Sequence, residues 1–179
     1  MPYVVYRGLT EDSVLLNQVT HLDQDLELGR KLPPDFTAPV EFRIDLTSEG
    51  RRMSSLFVLP AFLVHQRLHE ALVAVGIDNV DPYPAVIRNQ ETGQEWDDYL
   101  FLNIVGLVAC ADLANSDYAE LGPDINVIDK VAIKADRLPS AHIFRLAEDR
   151  LKIVVSDRVH DHLISAGFTD IYFEPVVIL

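Results

Sequence analysis

Residues 62–77 read FLVHQRLHEALVAVGI, and residues 153–168 read IVVSDRVHDHLISAGF, the same pattern written twice at an offset of 91 residues. Each copy opens with a short apolar run of strand character. In the first, Leu68, Leu72 and Val75 recur at helical spacing, and Gly76 falls where a left-handed residue ends a helix. In the second, Val159, Leu163 and Ala166 form the stripe, and Gly167 ends it. His65 stands at the first helix mouth. Ser156 is the better N-cap by residue type, and Asp157 suits a first turn. Both copies run on to a proline and an apolar tail, Pro84-Ala85-Val86-Ile87 and Pro175-Val176-Val177-Ile178. Val64, Arg67, His69, Leu72, Gly76, Pro84, Val86 and Ile87 are identical to their counterparts. The expectation is two similar strand–helix–strand units, about 62–87 and 153–178. A proline in each final strand favours an edge or a strand's first residue.

Around these units the chain is strand-rich. Residues 3–9 (YVVYRGL) read as an opening strand, residues 10–40 mostly as loop, and residues 40–46 (VEFRIDL) as a half-exposed strand. Residues 47–52 (TSEGRR) are turn material. Residues 96–110 should be strands, 111–121 (ADLANSDYAEL) a turn or short helix, and 128–138 and 142–148 strands. The fold class is α+β: a mixed, mostly antiparallel sheet with a few helices, one from each unit packed against it. No Gly- or Pro-rich linker divides the chain, so one domain over 1–179 is expected.

Composition narrows the function. An apolar fraction of 49% with 24% charged residues describes an ordinary globular protein. No apolar run approaches the ~20 residues that span a bilayer, and no basic leader opens the chain, so a cytoplasmic protein without a membrane partner is expected. The net charge of −13 opposes binding to nucleic acid. Residues 89–129 hold nine acids and no Lys or Arg. Such a field steers basic partners. Glu91, Glu95, Asp97 and Asp98 are the leading candidates for partner contact, with Trp96 as a candidate anchor and Asp23, Asp25 and Glu27 next.

Catalytic chemistry finds no pattern. His160 and His162 are two apart, so on a helix they point about 200° apart and do not share a metal. His65 and His69 are four apart but lack a third ligand of clear spacing. Both are read as scaffold histidines. Cys110, the single cysteine, sits among apolar residues and is read as a buried, inert thiol. No catalytic, metal-binding or cofactor-binding residue is assigned, and no cofactor is expected.

One resemblance goes further. Leu102-Asn103, Asp112, Ser116, Ile143-Phe144-Arg145-Leu146, Val155-Ser156-Asp157-Arg158, Gly167-Phe168-Thr169-Asp170 and Phe173-Glu174-Pro175 follow in order and spacing. In this the chain resembles the immunity proteins of bacterial polymorphic toxin systems, a family with a myxobacterial prototype once known as a domain of unknown function. The likeness covers residues 56–179 and leaves residues 1–50 divergent. Asp170-Ile171 departs from the glycine and leucine expected there. The resemblance implies a non-catalytic antidote that binds a cognate toxin and occludes its active site or an exosite. It implies no catalytic residues. A toxin that attacks nucleic acid would present a basic groove to the acidic window. The competing class is a small-ligand regulator or enzyme with its site between the two repeated units, marked by a convergent polar pocket around His69 or His160.

Overall fold

The computed structural model describes all residues except 9, 11, 22–26, 123 and 124. The chain runs through β1 (Tyr3–Arg7), β2 (Leu16–Gln18), β3 (Val40–Ile44), β4 (Leu56–Phe57) and β5 (Leu63–His65). Then come α1 (Gln66–Ala74), β6 (Val80–Arg88), β7 (Glu95–Ile104) and β8 (Leu107–Val108). After a 3₁₀ turn at Leu113–Asn115 follow β9 (Asp117–Gly122), β10 (Ile125–Lys130) and β11 (Ala132–Ile133). The last elements are β12 (Ile143–Leu146), β13 (Ile153–Val155), α2 (Asp157–Ser165), β14 (Ile171–Pro175) and β15 (Val177–Ile178). The α+β class holds, with strand pairs mostly antiparallel. The segment read as turn or short helix at 111–121 is in part β9, a strand exposed along nearly all its length. A strand wet on both faces carries no alternation to betray it.

Both helices end as their glycines dictate. Gly76 has φ +90° and Gly167 φ +82°. The Gly76 amide donates to Val73 O and the Ile77 amide to Leu72 O, and Gly167 and Phe168 repeat this to Ile164 and Leu163. This is a Schellman motif at each end, with its apolar clasp between the buried Leu72 and Ile77 and between Leu163 and Phe168. One N-terminus follows expectation and the other departs from it. His65 is the working cap, its Nδ1 accepting the Arg67 amide at 3.1 Å. Ser156 makes no side-chain cap bond. Its hydroxyl is instead bonded to His142 Nδ1 at 3.0 Å.

The repeat extends well beyond the helices. Between the parallel strands β5 and β6 lies antiparallel β7, and between β13 and β14 lies antiparallel β1. Val64, Leu100 and Pro84 share one row, and the residues 91 further on, Val155 and Pro175, flank Tyr3 in the matching row. β4 borders β5 as β12 borders β13, both antiparallel. On the far side, β3 joins β6 in parallel through Glu41↔Val86 and Phe42↔Ile87. β11 joins β15 in parallel through Ala132↔Val177 and Ile133↔Ile178, again 91 residues on. The N-terminal strand thus completes the C-terminal unit. Each proline sits just before the third strand joins, where its missing N–H faces no neighbour.

This pairing corrects the expectation of one sheet. Two large sheets, ordered β2-β3-β6-β7-β5-β4 and β14-β1-β13-β12-β8, stand beside the two-stranded β9–β10 and β11–β15. Each unit finds its own central strand and closes its own sheet, which leaves the helices facing each other. Leu68 and Leu72 of α1 and Val159 and Leu163 of α2 fill one core with Val64, Leu102, Ile153 and Val155 from the two sheets. Arg67 donates to Ala166 O at 2.9 Å, at the end of α2. Its counterpart Arg158 reaches the end of α1, 3.6 Å from where a Cβ on Gly76 would stand. Each helix thus receives a cation at its negative end. The outer faces are covered by unrelated segments: Leu32 and Phe36 over the first sheet, and Ile128 and Val131 over the second.

Candidate partner-binding surface

The leading acidic candidates lie at one end of the first sheet, on the β6–β7 hairpin. Its turn is rigid. Asn89 Oδ1 accepts the amides of Glu91 and Thr92, and Gly93 takes φ +73°. Glu91 is held exposed at the tip. Glu95 is exposed but engaged: Arg88 Nε donates to it at 2.6 Å and Arg88 also contacts Glu41 at 3.0 Å, tying β3, β6 and β7 together. These two carboxylates push the Arg88 pKa up. Trp96 is half-buried against the outer core of the first sheet. The register shift between Ala85 and Ile87 marks an irregular step in which Trp96 pairs Ile87 and Tyr99 pairs Ala85. The extra residue lets both aromatic rings face the same core and leaves Asp97 and Asp98 outside. Asp97 is exposed, and Asp98 bonds His65 Nε2 at 3.0 Å.

The second group is not brought to this end. Asp23 and Asp25 lie outside the described residues. Glu27 lies within electrostatic reach of the buried Arg145, whose pKa burial lowers and Glu27 raises. Arg145 pairs with Leu107, beyond the far end of β7. The ten residues of β7 put about 30 Å between the two ends of that strand.

A cleft of about 610 Å³ opens beside the hairpin, between the turn and residues 44–51. Its charged lining residues are Asp45, Glu49, Glu91 and Arg51. Hydrogen bonds from Thr47 hold the Asp45 carboxyl below its usual range, helped by one from Asn17. Reading 47–52 as turn material missed this wall, and the acids Asp45 and Glu49 were the available clue.

A smaller hollow of about 380 Å³ brings Ser54, Ser55, His65 and Asp98 together. Residue types alone invite a serine–histidine–aspartate reading, and the geometry refuses it. Both ring nitrogens of His65 are occupied, Nδ1 by the helix amide and Nε2 by Asp98. Neither is left to take a proton from a serine. The other repeat histidines are packed. The ring of His160 stacks on Tyr3 at 4.0 Å and meets Phe173 edge-on at 4.9 Å. Burial lowers the pKa of His69, which favours the neutral ring. Burial pushes the Cys110 thiol up to about 12, with Glu148 adding to the effect. Among the described residues no group of three or more His, Cys, Asp or Glu is placed to hold a metal ion.

The residues behind the resemblance do structural work here. Asn103 is buried and donates to Arg30 O. The Ser116 hydroxyl accepts the Ala132 amide at 3.0 Å and donates to Asp112 O at 2.8 Å. Asp170 accepts the Ser55 amide at 2.6 Å and so ties the second unit to the segment leading into the first. A model of an immunity protein family, Imm11, matches residues 5–177. The chain belongs to the Imm11 immunity protein family. The match begins within β1 and takes in the N-terminal 50 residues that the sequence motifs did not reach. No curated protein matches the chain. No helix is long and apolar enough to cross a membrane among the described residues.

Proposed function

We propose that this Imm11 protein neutralises a cognate bacterial toxin in the cytoplasm by binding it and covering its active site or an exosite, with no chemistry of its own. The family match over residues 5–177 carries this reading. The surface gives it a physical form. Glu91 and Asp97 are exposed on a hairpin end fixed by backbone bonds, beside a cleft whose lining carries three acids and one arginine. A preformed acidic surface suits a basic toxin, because its charges need no ordering on contact. The second reading, an enzyme or small-ligand site between the units, has less support. The space between α1 and α2 is filled by apolar core, and the Ser54–His65–Asp98 hollow lacks a base.

The test is co-expression with the toxin encoded beside this protein. Growth rescue with a stoichiometric complex is expected. Absence of both, with a folded protein and a toxin shown to kill, refutes this pairing. Glu91→Lys with Asp97→Lys then probes the acidic end. Neither residue forms an ion pair among the described residues, so the fold should survive. Glu95→Lys would instead press a lysine against Arg88. Slower association that converges with the parent at high salt is expected. Unchanged association at low salt removes this end from the interface.

A further inference from the structure

A further cleft, of about 380 Å³, is lined by residues in or beside both large sheets. It takes Leu15 and Val58-Leu59 from beside β2 and β4, Tyr6 from β1, Val127 from β10 and Leu151 from the turn before β13. Four of these are conspicuously wet for their type: Leu59 is 63% exposed, Leu15 46%, Leu151 45% and Val127 38%. Single exposed leucines are ordinary, but four around one concavity form a patch.

The polar groups of this cleft are engaged with one another or with backbone. Lys152 donates to the Tyr6 hydroxyl at 2.6 Å and lies over its ring at 4.7 Å. Asp149 is buried and accepts the amides of Ile128 and Leu151. A small ligand needs convergent polar groups to orient it, and here Lys152, Tyr6 and Asp149 are already bonded. An apolar protein side chain needs only the shape and the leucines.

Two observations say what kind of protein. The surroundings are net acidic: Glu174, Asp149 and Asp129 lie within electrostatic reach of Tyr6, three carboxylates against the single Lys152 bonded to its hydroxyl. The cleft also adjoins the acidic one. Val14 lines the polar cleft and Leu15 the apolar cleft, so the two flank a single ridge. The Leu15 amide is bonded to Ser48 Oγ at 3.0 Å, which pins the ridge to the loop walling the polar cleft. An apolar pocket bordered by charge is the usual anatomy of an anchor in a protein interface.

We infer that this apolar cleft is the anchor site of the toxin interface, receiving one large apolar side chain from a basic surface whose cations lie over the adjoining acidic cleft. The inference rests on the antidote reading and adds where the binding energy concentrates. The test measures affinity of the purified adjacent-encoded toxin for the parent protein and for Leu59→Ser, Leu151→Ser and Ile164→Ser. Ile164 is equally exposed, at 51%, but lies on α2 away from both clefts. All three positions face solvent, so urea unfolding followed through Trp96 should match the parent. Leu59→Ser and Leu151→Ser are expected to weaken binding by about 30-fold or more, as truncating a hot spot does, with Ile164→Ser within about 2-fold. Parent-like affinity in both leucine variants overturns the anchor while leaving the antidote intact. A parent protein that fails to bind a lethal toxin overturns the antidote reading and the anchor with it. A dimer of the protein alone that Leu59→Ser dissociates also overturns the inference, since the occupant is then a second copy.

Discussion

Truncating Leu163 to alanine tests whether the two units share one core. Leu163 is 3% exposed and packs between both sheets in the cluster that also holds Leu72 of α1. Removing three carbons forfeits about 2.4 kcal/mol of transfer free energy at ~0.8 per methylene. A cavity term adds to this, because sheets on both sides limit collapse, and the total should be about 3–4 kcal/mol. For a chain of this size each kcal/mol moves Tm by roughly 2–4 °C, so a fall of about 10 °C follows. The assay is urea unfolding at 25 °C read by far-ultraviolet circular dichroism and by Trp96 fluorescence. Trp96 is the only tryptophan and sits on the outer face of the first sheet, far from the substitution. Both probes should move together to lower urea, and Leu72→Ala should move them by a similar amount. A Trp96 transition that stays put while circular dichroism gains an early phase refutes the shared core.

Four further outcomes follow from local geometry. Gly29→Ala should destabilise by more than about 2 kcal/mol in urea titration, because φ is +64° and a Cβ would stand 2.7 Å from the backbone of Gly106 and Leu107. Gly93→Ala, at φ +73° with nothing within 4 Å, should cost only the conformational ~1 kcal/mol. His65→Ala should cost about 1 kcal/mol as a lost cap, and fail to do so if Arg67's amide finds another acceptor. Cys110 should resist a thiol reagent at pH 8 in the native protein and react at once in urea, because its pKa is raised to about 12. The linkage runs with that sign. The stability it contributes is whole below the unfolded thiol's ~8.5 and is lost as pH climbs from there towards 12, so Cys110→Ser should flatten the alkaline limb of a stability–pH curve.

What could be read in the sequence was what local chemistry dictates. Gly76 and Gly167 announce helix ends because a left-handed residue after an apolar stripe has few other uses. What could not be read was pairing at long range. Nothing in YVVYR says that β1 fills the gap between β13 and β14, since alternation names a strand but not its neighbours. Charge pairing was hidden for the same reason. The run of acids was plain, yet Glu95 is bonded by Arg88 and Asp98 by His65, and Glu27 stands by Arg145. The second cap was not legible because Ser156 is the better type, while the bond depends on His142 competing for its hydroxyl.

The duplication also separates scaffold from surface. Every feature matched across the 91-residue offset is architectural: the Schellman turns, the exchanged arginines, the proline rows and the flanking parallel strands. Both clefts, by contrast, draw on segments outside the two repeated stretches, residues 6, 14–15, 44–51, 58–59, 89–96, 127 and 149–152. Stability is therefore concentrated in the doubled frame, and recognition in loops that the frame holds but does not specify. Such a division lets the loops answer a changing toxin, because exposed substitutions there cost the shared core little. On this argument, cleft leucines and hairpin acids should tolerate substitution without unfolding, whereas Leu72 or Leu163 should not. That contrast is what makes the binding experiments interpretable.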